Sequence, residues 1–184
     1  MIFSHDAELT LRAAGVLINS DRVDGEQLGD QAALNGYLRD YGWTGRRDRD
    51  SAELASVHRL RDRLGRIWAG AHNEVHTVDE VNALLSDTHA APWLTRHPEM
   101  PDWHLHLASA DDPLAARMGA EMAMALADVI RSGELRRLKT CAAPDCDAVL
   151  IDLSRNRSRM FCDTGNCGNR QHVAAYRERR SRGH

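Results

Sequence analysis

The sequence predicts a mainly α protein, with an N-terminal helical domain that includes a small β-hairpin and a C-terminal cysteine module built as knuckle, hairpin and helix. Three observations carry this. Apolar residues recur at helical spacing through most of residues 1–135. All four cysteines lie within residues 136–184, as two Cys-x4-Cys pairs, Cys141 with Cys146 and Cys162 with Cys167. Charge divides at the same place: eleven basic and five acidic residues from Arg136 onward give +6, leaving −9 for the remainder of a chain of net charge −3. Two domains are therefore expected, 1–135 and 136–184.

A hydrophobic fraction of 42% with 28% charged residues is that of a globular chain and excludes a disordered one. No apolar run is long enough to span a bilayer. The first residues, MIFSHDAELTLR, have neither a basic leader nor an apolar core, so no signal peptide and a cytoplasmic location are expected. In that compartment thiols stay reduced, and paired cysteines favour metal over disulfide.

The first helix is expected over Asp6–Asn19, with Leu9, Ala13, Val16 and Leu17 inward. Asp24-Gly25 marks a turn. A second helix, Asp30–Tyr41, carries the stripe Leu34, Tyr37, Leu38 and Tyr41 and stops at Gly42. The third, Ser51–Ala69, lines Val57, Leu60, Leu64, Ile67 and Trp68 on one face, with Arg59, Arg61, Arg63 and Arg66 on a solvated one. Thr77-Val-Asp-Glu80 reads as a capping box opening a short helix. Trp103, Leu105 and Leu107 then alternate with His104 and His106, one arm of a hairpin whose other arm includes Trp93-Leu94. Asp112-Pro113 opens the longest helix, with Asp112 as N-cap. Its stripe is Leu114, Met118, Met122, Ala125, Leu126 and Val129; Gly119, Ala120 and Ala123 admit a close neighbour, and Gly133 ends it.

His72 and His76 stand four apart, and His104 and His106 share a strand face that could line a pocket; both pairs read first as ordinary hydrogen-bonded histidines. An enzyme using His104 and His106 would need a deep pocket with those rings at its base. The chain has no phosphate-binding glycine loop, Gly-x-Ser-x-Gly elbow or His-Glu-x-x-His, so no enzymatic activity is expected.

Four thiolates satisfy a tetrahedral zinc ion completely and leave no open position, so Cys141, Cys146, Cys162 and Cys167 are expected to form a structural Zn2+ site. An iron–sulfur cluster or free thiols are the alternatives. Pro144 and Gly165 are expected to shape the two knuckles. Between them Val149-Leu150-Ile151 reads as a strand, Ser154 to Ser158 as a turn and Met160-Phe161 as the return strand, with a helix beginning at Cys167. So small a module buries little apolar area, and the metal supplies much of its folding free energy.

Cys167-Gly168-Asn169-Arg170, preceded by Asp152-Leu-Ser154-Arg-Asn156 and followed by Tyr176-Arg177-Glu-Arg179, resembles the CGNR zinc-finger family from Leu138 to Arg180. The helix order and the Trp-x-Leu-x-Leu strand ahead of it resemble the ABATE-type domain that commonly precedes this finger. Leu150 stands where the family carries an aromatic, Arg159-Met160-Phe161 where it carries Arg-Arg-Trp, and His172 where it carries lysine. The resemblance implies a bacterial transcription regulator whose finger contacts DNA. Arg155, Arg157, Arg159, Arg177, Arg179 and Arg180 are the candidate contacts, since phosphate binding needs positive charge on one surface. Arg170, Asn169 and Asp152 are expected to be structural. The helical domain is expected to sense a small-molecule effector or to mediate homodimerisation. The competing expectation is a protein-interaction module whose basic face docks on an acidic surface, such as that of residues 1–135.

Overall fold

The computed structural model describes residues 3–23, 25–97 and 100–182. Asp24, with the side chains of His97, Met100, Ala175, Glu178, Ser181 and Arg182, lies outside them. Six helices and two small hairpins follow in order: α1 (His5–Asn19), α2 (Gln31–Asp40), α3 (Ser51–Ala69), α4 (Glu74–Asp87), β1 (Trp93–His97), β2 (Met100–His106), α5 (Leu114–Arg131), β3 (Leu138–Thr140), β4 (Val149–Ile151) and α6 (Cys167–Arg182). No described helix is long and apolar enough to cross a membrane.

The organising element is α5. Its expected stripe is buried throughout, and α1, α3 and α4 pack around it. Gly119 lets α4 approach: a Cβ there would meet Thr88 Cγ2 at 3.0 Å and Leu84 Cδ1 at 3.4 Å. Gly133, at φ +65°, stops the helix in the left-handed region that glycine adopts without cost. The start differs from expectation. Pro113 is the N-cap, without a side-chain bond, because the Asp112 carboxylate instead accepts from the Ser109 amide at 2.8 Å.

Three other expectations are corrected. In α1 the buried arc is Leu11, Ala14, Leu17 and Ile18, while Leu9 is half-buried and Val16 is 45% exposed. The helix packs against α5 on one side and α3 with β4 on another, so its partners set which arc is covered. The fourth helix starts at Glu74, capped by Asn73. Thr77 sits one turn inside it and donates to the Gly70 and Asn73 carbonyls, so the capping box does not form. Arg61 is buried, not solvated: it bonds Glu26 at 2.8 Å and Ser20 Oγ at 3.1 Å.

The β3–β4 hairpin joins the C-terminal module to the helical part. Strand alternation sends Val149 and Ile151 into the main core and Leu150 to the opposite side, against the cysteines. Asn19, buried at the end of α1, bonds both backbone groups of Val149: Nδ2 donates to the carbonyl at 2.9 Å, and Oδ1 accepts from the amide at 2.7 Å. Trp68 Nε1 donates to the Lys139 carbonyl, and Arg22 to that of Asp147. Met160-Phe161 was expected to be the partner of β4. The partner is instead Leu138–Thr140, ahead of the first cysteine, with Leu138 opposite Ile151 and Thr140 opposite Val149. Leu-Lys-Thr carries a single apolar residue, too little to announce a strand beside the wholly apolar Val-Leu-Ile.

Candidate metal centre and nucleic-acid interface

The knuckles come from two loops that fold back on themselves. Cys141 follows β3, and its amide donates to the Ala148 carbonyl at 2.8 Å, closing the first loop. In the second loop the residue with positive φ is Asn166, at 50°, not Gly165. Asparagine tolerates the left-handed region better than most side chains. Gly165 matters for space: a Cβ there would lie 3.1 Å from Cys167 Sγ, a tight contact against the sulfur.

These loops bring the sulfurs of Cys141, Cys146, Cys162 and Cys167 within 4.8 Å of one another. Cys146 to Cys162 and Cys162 to Cys167 are each 3.7 Å. That is far beyond a disulfide bond of about 2.05 Å. It is also the edge of the tetrahedron that four sulfurs form at about 2.3 Å from a central zinc, roughly 3.8 Å. Cys141, Cys162 and Cys167 are buried and Cys146 is half-buried. Four thiols in so tight a group oppose one another's ionisation, and burial pushes Cys146 up to about 12. A dication is what such a donor set lacks, so the residues present fit a closed, thiolate-bound metal.

Positive charge is arranged around this group. Arg170 donates to Cys167 Sγ at 3.0 Å, and that bond draws the Cys167 thiol down from its ordinary value. Cys167 also opens α6, whose unpaired first-turn amides favour a negative neighbour. Arg170 is thus a brace for the sulfur cluster.

Asp152 explains the Asp-x-Ser spacing. It is fully buried and accepts four bonds, from the Ser154 amide at 3.0 Å and hydroxyl at 2.6 Å, the Arg159 amide at 2.9 Å and Lys139 Nζ at 2.6 Å. Burial raises its pKa, but these donors outweigh that and hold the carboxyl down to about 2. Lys139 also donates to the Arg157 and Arg159 carbonyls, so an ammonium holds the return segment where a β-ladder was expected. Asn169, more peripheral, donates to Asn166 Oδ1 at 2.7 Å.

The structure separates the six candidate arginines into two sets. Arg157 pairs with Glu134 of the helical part at 3.0 Å, and Arg159 pairs with Asp163 inside the module. Arg155 on the turn and Arg177, Arg179 and Arg180 on α6 are exposed, and none has an ion pair among the described residues. Beyond its first turn α6 leaves the body: every described residue from His172 to Arg180 is exposed, including Val173 at 49% and Tyr176 at 59%. Helical spacing puts Val173, Tyr176, Arg177 and Arg180 on one face.

Neither histidine pair forms part of the centre. His72 Nδ1 faces the Ala69 carbonyl at 3.0 Å, and His104 and His106 lie on β2. Among the described residues the cysteines are the one set of three or more metal-binding side chains close enough to share an ion. Two residues of consequence went unremarked in the sequence. Asn19 gave no signal beyond a polar residue ending an apolar stripe. Glu121 gave one: it stands in α5 four residues after Arg117 and seven before Asp128, so all three share a charged face on a helix whose other face is apolar.

A CGNR zinc finger model matches residues 137–180. The ABATE model, described as "putative stress-induced transcription regulator", matches residues 11–133. No curated protein matches the chain. With the larger of these models spanning well over half of its length and the finger following directly, the chain belongs to the ABATE family and carries a C-terminal CGNR zinc finger.

Proposed function

We propose that the protein is a cytoplasmic, zinc-dependent DNA-binding transcription regulator in which residues 136–184 contact DNA and residues 1–135 receive the signal. The observation that carries this reading is α6. It is anchored at Cys167 and then runs free into solvent with Arg177, Arg179 and Arg180 unpaired among the described residues. Beyond its first turn this mostly polar helix packs on nothing and gains no stability from burial. Phosphates supply the partner it lacks, and arginine is the side chain suited to bidentate contact with guanine in the major groove. Zinc has a structural part: four thiolates close its shell, and the loaded centre sets the position and angle at which α6 leaves the body.

Arg155 extends the basic surface, while Arg157 and Arg159 serve mainly to hold the turn. Among the described residues, Arg157 is the one of the six that reaches an acidic residue of the helical part. This weighs against the alternative in which the basic face docks on the protein's own acidic domain. The reading is of a binding protein, not of an enzyme.

The test is duplex DNA binding across a salt series, with zinc-loaded and chelated protein. Zinc-loaded protein is expected to bind with an affinity that falls steeply with salt, and chelation to abolish binding. Zinc-loaded protein with no salt-dependent affinity for any duplex overturns the reading.

A further inference from the structure

A cavity of about 500 Å³ opens in the helical part, between α1, the segment after α2, β2 and α5. That volume is in the range that holds a small organic ligand. Ala13, Leu107 and Ala125 give it an apolar floor, and Tyr41 and Trp43 an aromatic wall.

Its charged groups are unequal in sign. Asp6 from α1 and Glu121 and Asp128 from α5 are three carboxylates. The one permanent cation, Arg117, is already committed to the loop: its guanidinium donates to the carbonyls of Thr44, Arg46 and Asp112. The two imidazoles restrain each other. His104 Nδ1 faces the Asp102 carbonyl at 2.9 Å and must carry hydrogen to bond it. In the neutral ring His104 Nε2 is then an acceptor, and His106 Nε2, 3.1 Å away, donates to it. That contact requires at least one neutral ring. Burial pushes the Glu121 carboxyl up to about 7; the Leu107 amide and His104 oppose this, and Asp6 adds to it. Asp128 is raised by burial and by Asp6, against Arg131. Three carboxylates therefore face the cavity against one guanidinium already bonded to the loop and a pair of imidazoles of which one at most is charged, so negative charge is in surplus.

We propose that this cavity binds a small organic cation, an amine with an aromatic or apolar body. Its ammonium group sits between Asp6 and Glu121, and its body lies against Tyr41, Trp43 and the apolar floor. An ammonium accounts for the surplus of carboxylates, and the aromatic wall favours a cation over a neutral group of equal shape. The same helix that lends Asp6 and Ala13 to the cavity ends in Asn19, whose two bonds hold β4 of the finger. As an effector site the cavity rests on the regulator reading; as a binding site it stands without it.

The experiment is isothermal titration of full-length, zinc-loaded protein without DNA. The probes are benzylamine, phenethylamine and tryptamine, each beside the alcohol and the carboxylate of the same skeleton. At least one amine is expected to bind saturably at one site, about tenfold tighter than its alcohol. Its affinity is expected to rise about tenfold from pH 6 to pH 8, as Glu121 gives up the proton that competes with the ligand. Glu121→Gln is expected to weaken binding by about tenfold and flatten that pH dependence. Asp6→Asn, at the first turn of α1, provides a second test should Glu121→Gln disturb folding, and is expected to weaken the amine and not the alcohol. No saturable binding by any of the amines, alcohols or carboxylates that bind as tightly, or affinity unchanged in both variants, would each overturn the proposal. Since DNA is absent, such a failure leaves the DNA reading untouched, and failure of DNA binding leaves this one untouched.

Discussion

In the helical part, α5 buries Leu114, Met118, Met122, Leu126 and Val129 among three other helices. In the C-terminal module the buried centre is four cysteines with Ala143, Ala148 and Leu150. Around it lies a polar frame of Asp152, Lys139, Arg137 and Arg170. The first region has enough surface to bury for the hydrophobic effect to fold it. The second does not, so sulfur ligation and charged hydrogen bonds take over that part. Between them, β4 belongs to both: Val149 and Ile151 face one core and Leu150 the other.

The comparison makes the two regions separable by experiment. The largest effect comes from metal removal. Chelation takes away a binding free energy on the order of 10 kcal/mol. It is expected to unfold the knuckles and α6 while α1 to α5 stay folded. Hydrogen exchange followed by mass spectrometry reads this as new exchange after Cys141 with protection kept through α5; loss of protection throughout would mean that the helical part depends on the metal. The reciprocal perturbation is Met122→Ala, at the centre of the helical core, expected to cost about 2–5 kcal/mol. Thermal denaturation measures that loss, and the metal content of the native protein should not change.

The seam between the regions is next. Asn19→Ala leaves the buried amide and carbonyl of Val149 without their partners, at a cost of about 2–3 kcal/mol. If the finger is held only by its apolar contacts, the melting temperature will hardly move. A smaller effect belongs to Asp152, whose carboxyl titrates near 2 in the fold against an ordinary 3.8. Its stabilisation, about 2 kcal/mol, is fully present above pH 4 and is lost as pH falls towards 2. Asp152→Asn should remove that acid-side slope, which urea denaturation at several pH values detects. Smallest in stability is Arg177→Ala, expected within about 0.5 kcal/mol of the parent. Its effect falls on DNA: the slope of log affinity against log salt should drop by about 1.

Much of this division was legible in the chain. The third and fifth helices declared themselves by periodicity, with every stripe residue buried, because a long amphipathic pattern has one favourable way to bury its face. Short or ambiguous segments behaved differently. Thr77 and Glu80 match a capping box, yet Asn73 lies earlier and takes the cap. Met160 and Phe161 look like a strand, yet Lys139 holds the residues just before them by the Arg157 and Arg159 carbonyls. Arg157 and Arg159 alternate in sequence with Arg155, but Glu134 and Asp163 draw those two away. In each case a competitor decided the outcome, four residues away for Asn73 and Asp163 and far along the chain for Lys139 and Glu134.

The sequence by itself determined the helical class, the long apolar stripes and the four cysteines that converge, because these depend on local period and on the fixed chemistry of thiols. Tertiary structure alone decided which arginines remain free, that Asn19 clasps the finger, and that Asp6, Glu121 and Asp128 face one cavity. Apart from Arg159 and Asp163, which stand four residues apart, those are relations between groups distant in the chain, set by packing, and charge acts through distance in space and not through position in sequence.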